Sequence, residues 1–577
     1  MNCSISKLHY LPIMIILIFI LTFNVAFSKL LSKDDNDNKT TQNISKDGLI
    51  KDIRQLVEII ELVHPDPYIY SGGKIAFHKR VHQIISKLPE DGMTQEEFYW
   101  LVCPFLASIG DSHTKLSWEP DNNNKKPSGI PVGFGVADIS IYVETVFDSS
   151  QIHLIGCRLK SVENISVEEL LNRMRQFYGY QNKYYGITKL AREGYKSGHL
   201  WRGYLLEALI PEWDNKNSIN VEFEKPDKEI LNYNFKLPQK FNKPYHADSK
   251  VKMPSLKNSY FNYLFTDNSK KTAILSVSSP GFSRESFESD LVRGYNVKED
   301  AGEFYERYNE KPAPNDIEDI IAGLPSATEI FTELLLEMKK AQTQTLIIDL
   351  RKYSGGGYAI NHMLLYFLYG KGKLHEIITQ SRWVEKLSDS YFTLYDKNDI
   401  SLINKRSIIE LNKTDYFFDN DLCGWSDDKN KLNSYIVNDF ETRYKMLSTF
   451  WQVYVDSKYD QYYKIPNIMV ISSDNTFSGG FEMLVSLYFG GATILGTPSG
   501  QDVNQFGDWL PIELENSGLK GQVSHSWFEN FPDEVPKGYV LMPHYVMTYD
   551  KLAEYNFDPN AEILYAQKII ADLNQKQ

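Results

Sequence analysis

Residues 327–495 alternate helix and strand, with turns between them, in an order that restricts the fold more than any other feature of the chain. A helical pattern at 327–340 precedes the strand 345–350, a glycine turn and the helix 358–368. A second round follows, with the strand 467–471, a turn at 473–478, the helix 479–488 and the strand 492–495. Strands separated by helices pair in parallel through crossovers rather than as hairpins. The spacing therefore predicts an α/β layered domain. Two stretches, 285–318 and 383–463, exceed ordinary connections and are expected to form lids or local subdomains inserted into it.

Upstream the texture differs. From residue 48 to 109 the pattern is helical: Ile53, Leu56, Ile59, Ile60 and Val63 recur at helix spacing until His64, Pro65, Asp66 and Pro67 break it. A second helical stretch at 96–108 runs into the turn Gly110, Asp111, Ser112, His113, Thr114. Short strands follow at 141–146, 152–154 and 218–223, interrupted by helices at 167–177 and 187–194, which suits a compact binding module. A polar linker at 238–257 leads to the strand 272–277. The expected domains are helical at 48–117, a binding module at 118–240 and α/β at 258–577.

Residues 1–28 read as a signal peptide: Lys7 precedes the apolar run 11–21, and Ala26 and Ser28 supply small residues for cleavage. The competing reading is an uncleaved anchor, the one route by which this chain would meet a membrane. Either way the folded part is expected outside the cytoplasm, secreted or extracytoplasmic, with 29–47 as a flexible leader. The 577 residues include 62 Lys plus Arg against 75 Asp plus Glu, a net charge of -13. That balance argues against nucleic acid as the main partner, because phosphate binding needs a basic footprint. Beyond Cys3, the cysteines Cys103, Cys157 and Cys423 match no metal-ligand spacing. No metal or organic cofactor is implied.

Three turns carry groups suited to chemistry, because helix beginnings in an α/β sheet present backbone N–H groups at a positive dipole end. In the first, Asp349 to Gly357, the glycines Gly355, Gly356 and Gly357 permit positive φ and close approach of a substrate, so their amides can bind an oxyanion. The plain alternative is a tight strand-to-helix turn. In the second, Asn475 to Gly480, Ser478 opens a helix with the Gly479 amide beside it, which suits a nucleophile. The plain alternative is a helix-capping serine. The glycine-flanked elbow of α/β-hydrolases is absent, since Thr476 stands two residues before Ser478. The third turn holds His113, whose side-chain type has its ordinary pKa nearest neutrality and so suits a general base. Here the alternatives are a metal ligand or a surface histidine.

Taken in order, GDSHTKL at 110–116, LIIDLRKYSGGG at 346–357, IMVISSDNTFSGG at 468–480 and ATILGTPSGQDVNQFGD at 492–508 resemble the C-terminal processing peptidases, the tail-specific protease family of serine peptidases, in its tricorn-like, histidine-using branch. The closing segment FDPNAEILYAQKII is also similar. The resemblance implies a crotonase/ClpP-like α/β core preceded by a PDZ-like peptide-binding module, with 156–171 as part of that module. It implies a serine-type peptidase acting on peptide or protein substrates through an acyl-enzyme. Ser478 falls on the nucleophile, His113 on the base, Ser112 on the second serine of the tricorn-type tetrad, and Gly355 or Gly356 with Gly479 on the oxyanion hole.

Departures from the family pattern accompany these matches. No lysine lies between Ser478 and Lys520, which disfavours a lysine base and adds weight to His113. Tyr353 stands where asparagine is usual, and Phe481 where glutamate is common, with Glu482 one residue later. The acid partner of His113 is expected at Glu529, with Asp508 and Glu534 behind it. Two rival readings accompany the peptidase: a noncatalytic peptide- or ligand-binding protein of the same fold, and a secreted polysaccharide-active or carbohydrate-binding protein suggested by acidity and aromatic richness. The latter lacks a carboxylate pair at a fixed spacing.

Overall fold

A computed structural model describes residues 43–575 except 121–128, 193–197, 238–242, 257–259, 279–281, 293–296, 357–358, 395–399, 405–406 and 533–534. The expected signal peptide and most of the expected leader lie outside the described residues. The first described helix, Lys46–Val63, is capped by the Ser45 hydroxyl and ends at His64, as the proline pair requires. Among the described residues no helix is long and apolar enough to cross a membrane.

The predicted strands Thr345–Asp349 and Asn467–Ser472 lie at the centre of a six-stranded sheet. Thr272–Val277 pairs in parallel with the first, Thr493–Gly496 with the second, and Tyr545–Val546 with Thr493–Gly496, while Phe261–Phe265 closes the other edge in antiparallel. The apolar runs are continuous because both faces are covered. Leu346, Ile348, Val470 and Ile494 face the helices Ala327–Ala341, Ala359–Ile378 and Gly479–Phe489. Ile274, Ile347, Met469, Ile471 and Leu495 face the C-terminal helix Ala561–Gln575 through Ile563, Ala566, Ile569 and Ile570. The protein is thus a mixed α/β structure.

A second sheet carries the strand Lys520–Glu529, flanked by Asn504–Glu513 on one side and by Lys115–Ser117 and Arg382–Lys386 on the other, with Tyr416–Phe418 beyond. Three N-terminal helices, Lys46–Val63, Lys74–Ser86 and Gln95–Ala107, share one core with it. The register Lys115↔Gln522 brings the His113 turn to the C-terminal half of the chain. Stretch 383–463 is therefore built into this sheet in part, and its helices Lys429–Tyr444 and Ser448–Val455 pack on the main core. Stretch 285–318 forms helices around a small core of Phe287, Phe304, Tyr305, Ile320 and Ile321.

The third sheet is antiparallel, in the order Val132–Ala137, Ser140–Val146, Arg158–Val162, Ser218–Glu224, Ile230–Lys236, with Ile165–Ser166 folded back on Arg158–Val162. Its core takes in Leu170, Ile187, Leu190 and Leu206 from three short helices. The expected strand at 152–154 is instead the end of a 3-10 helix, Ser149–Leu154, started by the Asp148 carboxylate accepting from Ser150 N–H. A local side-chain hydrogen bond overrides an apolar triplet there. Cys103, Cys157 and Cys423 are buried free thiols.

Candidate active site

Ser478 stands between the strand Asn467–Ser472 and the helix Gly479–Phe489, in the N-cap place, yet its side chain makes no capping hydrogen bond. Its backbone lies at φ 51° and ψ −123°. A non-glycine residue held there costs about 1–3 kcal/mol and persists only where its surroundings over-determine it. Here they do. Ser478 N–H donates to the buried Gln501 Oε1 at 2.5 Å, and Phe477 N–H donates to Tyr353 O at 3.1 Å. Thr476 Oγ1–H donates to Leu350 O, while Ser499 Oγ–H donates to Thr476 O. The capping alternative is thus set aside by geometry: the hydroxyl is left for something else.

The glycine turn abuts this serine. Gly355 (φ 123°) approaches so closely that a Cβ on it would lie 2.9 Å from Ser478 Cβ and 3.5 Å from Oγ. A Cβ on Gly479 would lie 2.2 Å from Gly356 O. Gly479 N–H is the first amide of its helix and so has no intrahelical acceptor. Gly357 lies outside the described residues. Under the turn, the fully buried Tyr353 hydroxyl donates to Asn361 Oδ1 at 3.1 Å, and Asn361 Nδ2 donates to Gly479 O at 2.8 Å. Burial raises the Tyr353 hydroxyl well above the usual tyrosine range, so it stays a donor. The residue that departs from the family pattern is a strut between the two turns.

His113 reaches the same place from the second sheet. Its ring packs on Phe477, the residue before Ser478, with centroids 5.2 Å apart, and Phe477 packs in turn on Tyr185. The His113 backbone is pinned at both ends: its N–H donates to Asp111 Oδ1 at 2.9 Å and its carbonyl accepts from Gln522 Nε2 at 2.7 Å. Burial pushes the imidazole below the ordinary histidine value, against the pull of the Asp111 carboxylate. A neutral imidazole is the form a general base needs. Nδ1 is sealed from solvent, 3.8 Å from Asp111 Oδ1. Among the described residues no hydrogen bond yet joins His113 to Ser478.

The remaining candidates divide. Ser112 stays at the turn, partly exposed, its carbonyl accepting from the Tyr185 hydroxyl at 3.3 Å. Glu529 is not brought to His113: it ends the strand Lys520–Glu529, opposite Arg382 and Asn504, and Trp527 Nε1–H donates to it. Asp508 accepts from Ser526. Glu534 lies outside the described residues. Glu482 is held by Gln505 and Asn530, and burial pushes it up to about 7.

No family model matches the sequence, and no curated protein matches it. Solved structures do. Mature CPAF complexed with lactacystin aligns over 92% of this chain and 99% of its own at 13% identity, with a TM-score of 0.54. Mature CPAF alone aligns over 88% and 95% at 12% identity, with a TM-score of 0.50. The chain shares the fold of CPAF. A more distant neighbour is the photosystem II D1 C-terminal processing protease, at 11% identity over 87% of this chain and 94% of its own, with a TM-score of 0.37.

Within this CPAF-like fold, reasoning from sequence passed over Asp111, Gln501 and Asn361. Asp111 was in plain view two residues before His113, a spacing at which an aspartate accepts from the backbone N–H two residues on. Gln501 and Asn361 act across 23 and 118 residues of chain and leave no local pattern.

Proposed function

We propose that this chain is a secreted serine-type peptidase with a crotonase/ClpP-like catalytic core, acting on peptide or protein substrates with Ser478 as nucleophile and His113 as base. The observation that carries this reading is the strained, uncapped Ser478 with Gly355 packed against its side chain. His113 takes the Ser478 proton as Oγ bonds to the substrate carbonyl carbon and the carbonyl π pair moves to oxygen. The oxyanion is held by amides of Gly355 or Gly356 and Gly479. Collapse breaks the C–N bond, and the protonated imidazole gives its proton to the leaving amine. Water, deprotonated by His113, then adds to the acyl carbon; collapse breaks the C–Oγ bond and the imidazolium returns its proton to Ser478 Oγ, freeing the acid. Free enzymes commonly tighten the base–nucleophile contact only on binding substrate, which fits the stacked resting place of His113.

The antiparallel module is the proposed PDZ-like element, receiving an extended chain by strand addition. Its helix Lys183–Ala191 reaches the serine loop through Tyr185 against Phe477 and through Thr188 Oγ1, which donates to Asp474 Oδ2 at 3.0 Å.

A fluorophosphonate probe tests the reading. Intact protein is expected to label on Ser478, with labelling lost in Ser478→Ala and His113→Ala and slowed by lactacystin, the compound with which CPAF was complexed. Folded protein that never labels would instead support a noncatalytic binder of peptides or other ligands.

A further inference from the structure

A histidine base gains a positive charge in mid-reaction, and a buried one needs a carboxylate to hold it. Around this site the carboxylates differ sharply in whether they can serve. Glu482 and Asp508 are both pushed up by burial, Asp508 further by Glu385 and Glu482, so neither is a ready anion near neutral pH. Glu529 makes no contact of ion-pair length with His113.

Asp111 differs on each count. Its side chain is fully buried, yet its Oδ1 accepts from His113 N–H, and its Oδ2 accepts from Thr114 Oγ1 and from Ser524 Oγ at 2.5 and 2.7 Å. His64 Nε2 lies 3.4 Å from Oδ2. Burial opposes the charge, but His64, His113 and the Thr114 hydroxyl together hold the carboxyl well below the usual range. Asp111 Oδ1 faces the sealed, unpartnered Nδ1 of His113 at 3.8 Å, about an ångström beyond a hydrogen bond.

We infer that Asp111 is the positioning residue for His113: its carboxylate orients the imidazole through Nδ1 and balances the charge the ring acquires when it takes the Ser478 proton. This rests on the peptidase reading above. Protonation draws Nδ1–H onto Oδ1 with a small ring shift. Of the other groups facing His113, the Phe506 backbone, hydrogen-bonded to the ring, also favours its charge, and the rest do not. Lys115 and Lys189 both disfavour protonation, and Phe477 offers only a ring face. Asp111 is in turn faced by His64 and by Tyr70, whose hydroxyl is raised by burial and by the charges of Asp502 and Asp111 and so stays neutral.

The test follows the His113 ring by NMR in full-length protein labelled with 15N-histidine, in a Ser478→Ala background, the signal being assigned by its loss in His113→Ala. Asp111→Asn is expected to lower the His113 titration midpoint by about 1–3 pH units. With Ser478 intact, it is expected to slow fluorophosphonate labelling about 10²-fold or more. Glu529→Gln is expected to leave both within about 2-fold. Thr114→Val removes a hydrogen bond to Asp111 but no charge, so it is expected to lower the thermal midpoint while leaving the His113 titration midpoint nearly in place, which separates structure from charge. An unchanged midpoint in folded Asp111→Asn, or a shift in Glu529→Gln instead, overturns the inference. The readings fail separately: if Ser478 never labels, the peptidase proposal falls while the titration still decides the pairing. If Ser478 labels through His113 and Asp111→Asn changes nothing, only the pairing falls.

Discussion

Gly355 and Ser478 are packed so that one hydrogen separates glycine from collision: a Cβ on Gly355 would stand 2.9 Å from Ser478 Cβ. The same glycine sits at φ 123°, where L side chains are strained. Gly355→Ala is therefore expected to displace the serine as well as strain the turn, cutting probe labelling about 10²-fold or more. Gly372→Ala is the contrast, since nothing lies within 4 Å of a Cβ there and the residue is helical; it should stabilise by up to about 1 kcal/mol and leave labelling alone. Equal labelling in the two variants would remove the case for a serine shaped by its glycine neighbour.

Gln501 holds the strained serine by its amide. Replacing it with leucine leaves the partly buried Ser478 N–H without its acceptor, which costs about 1 kcal/mol. The loss should appear in both the thermal midpoint and the labelling rate, because the same hydrogen bond fixes fold and nucleophile. A Gln501→Leu protein that melts lower yet labels at the parental rate would mean the positive φ of Ser478 is held elsewhere.

Glu482 gives a pH signature. Burial lifts it to about 7, against hydrogen bonds from Asn530 and Gln505, whereas an unfolded chain releases that proton near pH 4.3. Between those values the folded protein binds a proton the unfolded chain has lost, so this group makes stability fall as pH rises through the window. Glu482→Gln removes the slope. Against the parent it should be nearly neutral at pH 4 and more stable at pH 8 by on the order of 3 kcal/mol. Urea midpoints at pH 4, 6 and 8 read this, and a difference that stays constant with pH would refute it.

The two central strands and the helices beside them were legible because a sheet covered on both faces needs unbroken apolar runs, and Leu346, Ile347 and Ile348 alternate between two cores without a polar interruption. Ser478 and His113 could be singled out as types of residue at types of turn. What sequence could not supply was contact across distance. The stacking of His113 on Phe477 depends on the Lys115↔Gln522 register, and such a register is chosen by the whole sheet. Position in a motif points to Glu529 as the acid, while Asp111 stands beside the imidazole because an Asx turn folds it there.

Arg192 and Asp474 give the last prediction. Asp474 lies four residues before Ser478 with its side chain fully buried, and Arg192, next to the module's helix Lys183–Ala191, meets it with Nη2 at 2.6 Å from Oδ1. Arg192 is also 4.0 Å from Glu144 on the strand Ser140–Val146, so one guanidinium ties the module to the serine loop. Removing a buried partner leaves an uncompensated charge, which costs about 3–5 kcal/mol, whereas removing both charges together is often close to neutral. Arg192→Met should accordingly destabilise the protein and slow Ser478 labelling, because the stranded Asp474 carboxylate would pull its loop toward water. Arg192→Met with Asp474→Asn should recover most of both losses. A double-mutant cycle on urea midpoints and labelling rates reads the coupling. Strict additivity would mean that Arg192 serves only its own module, and that the serine loop keeps its shape without it.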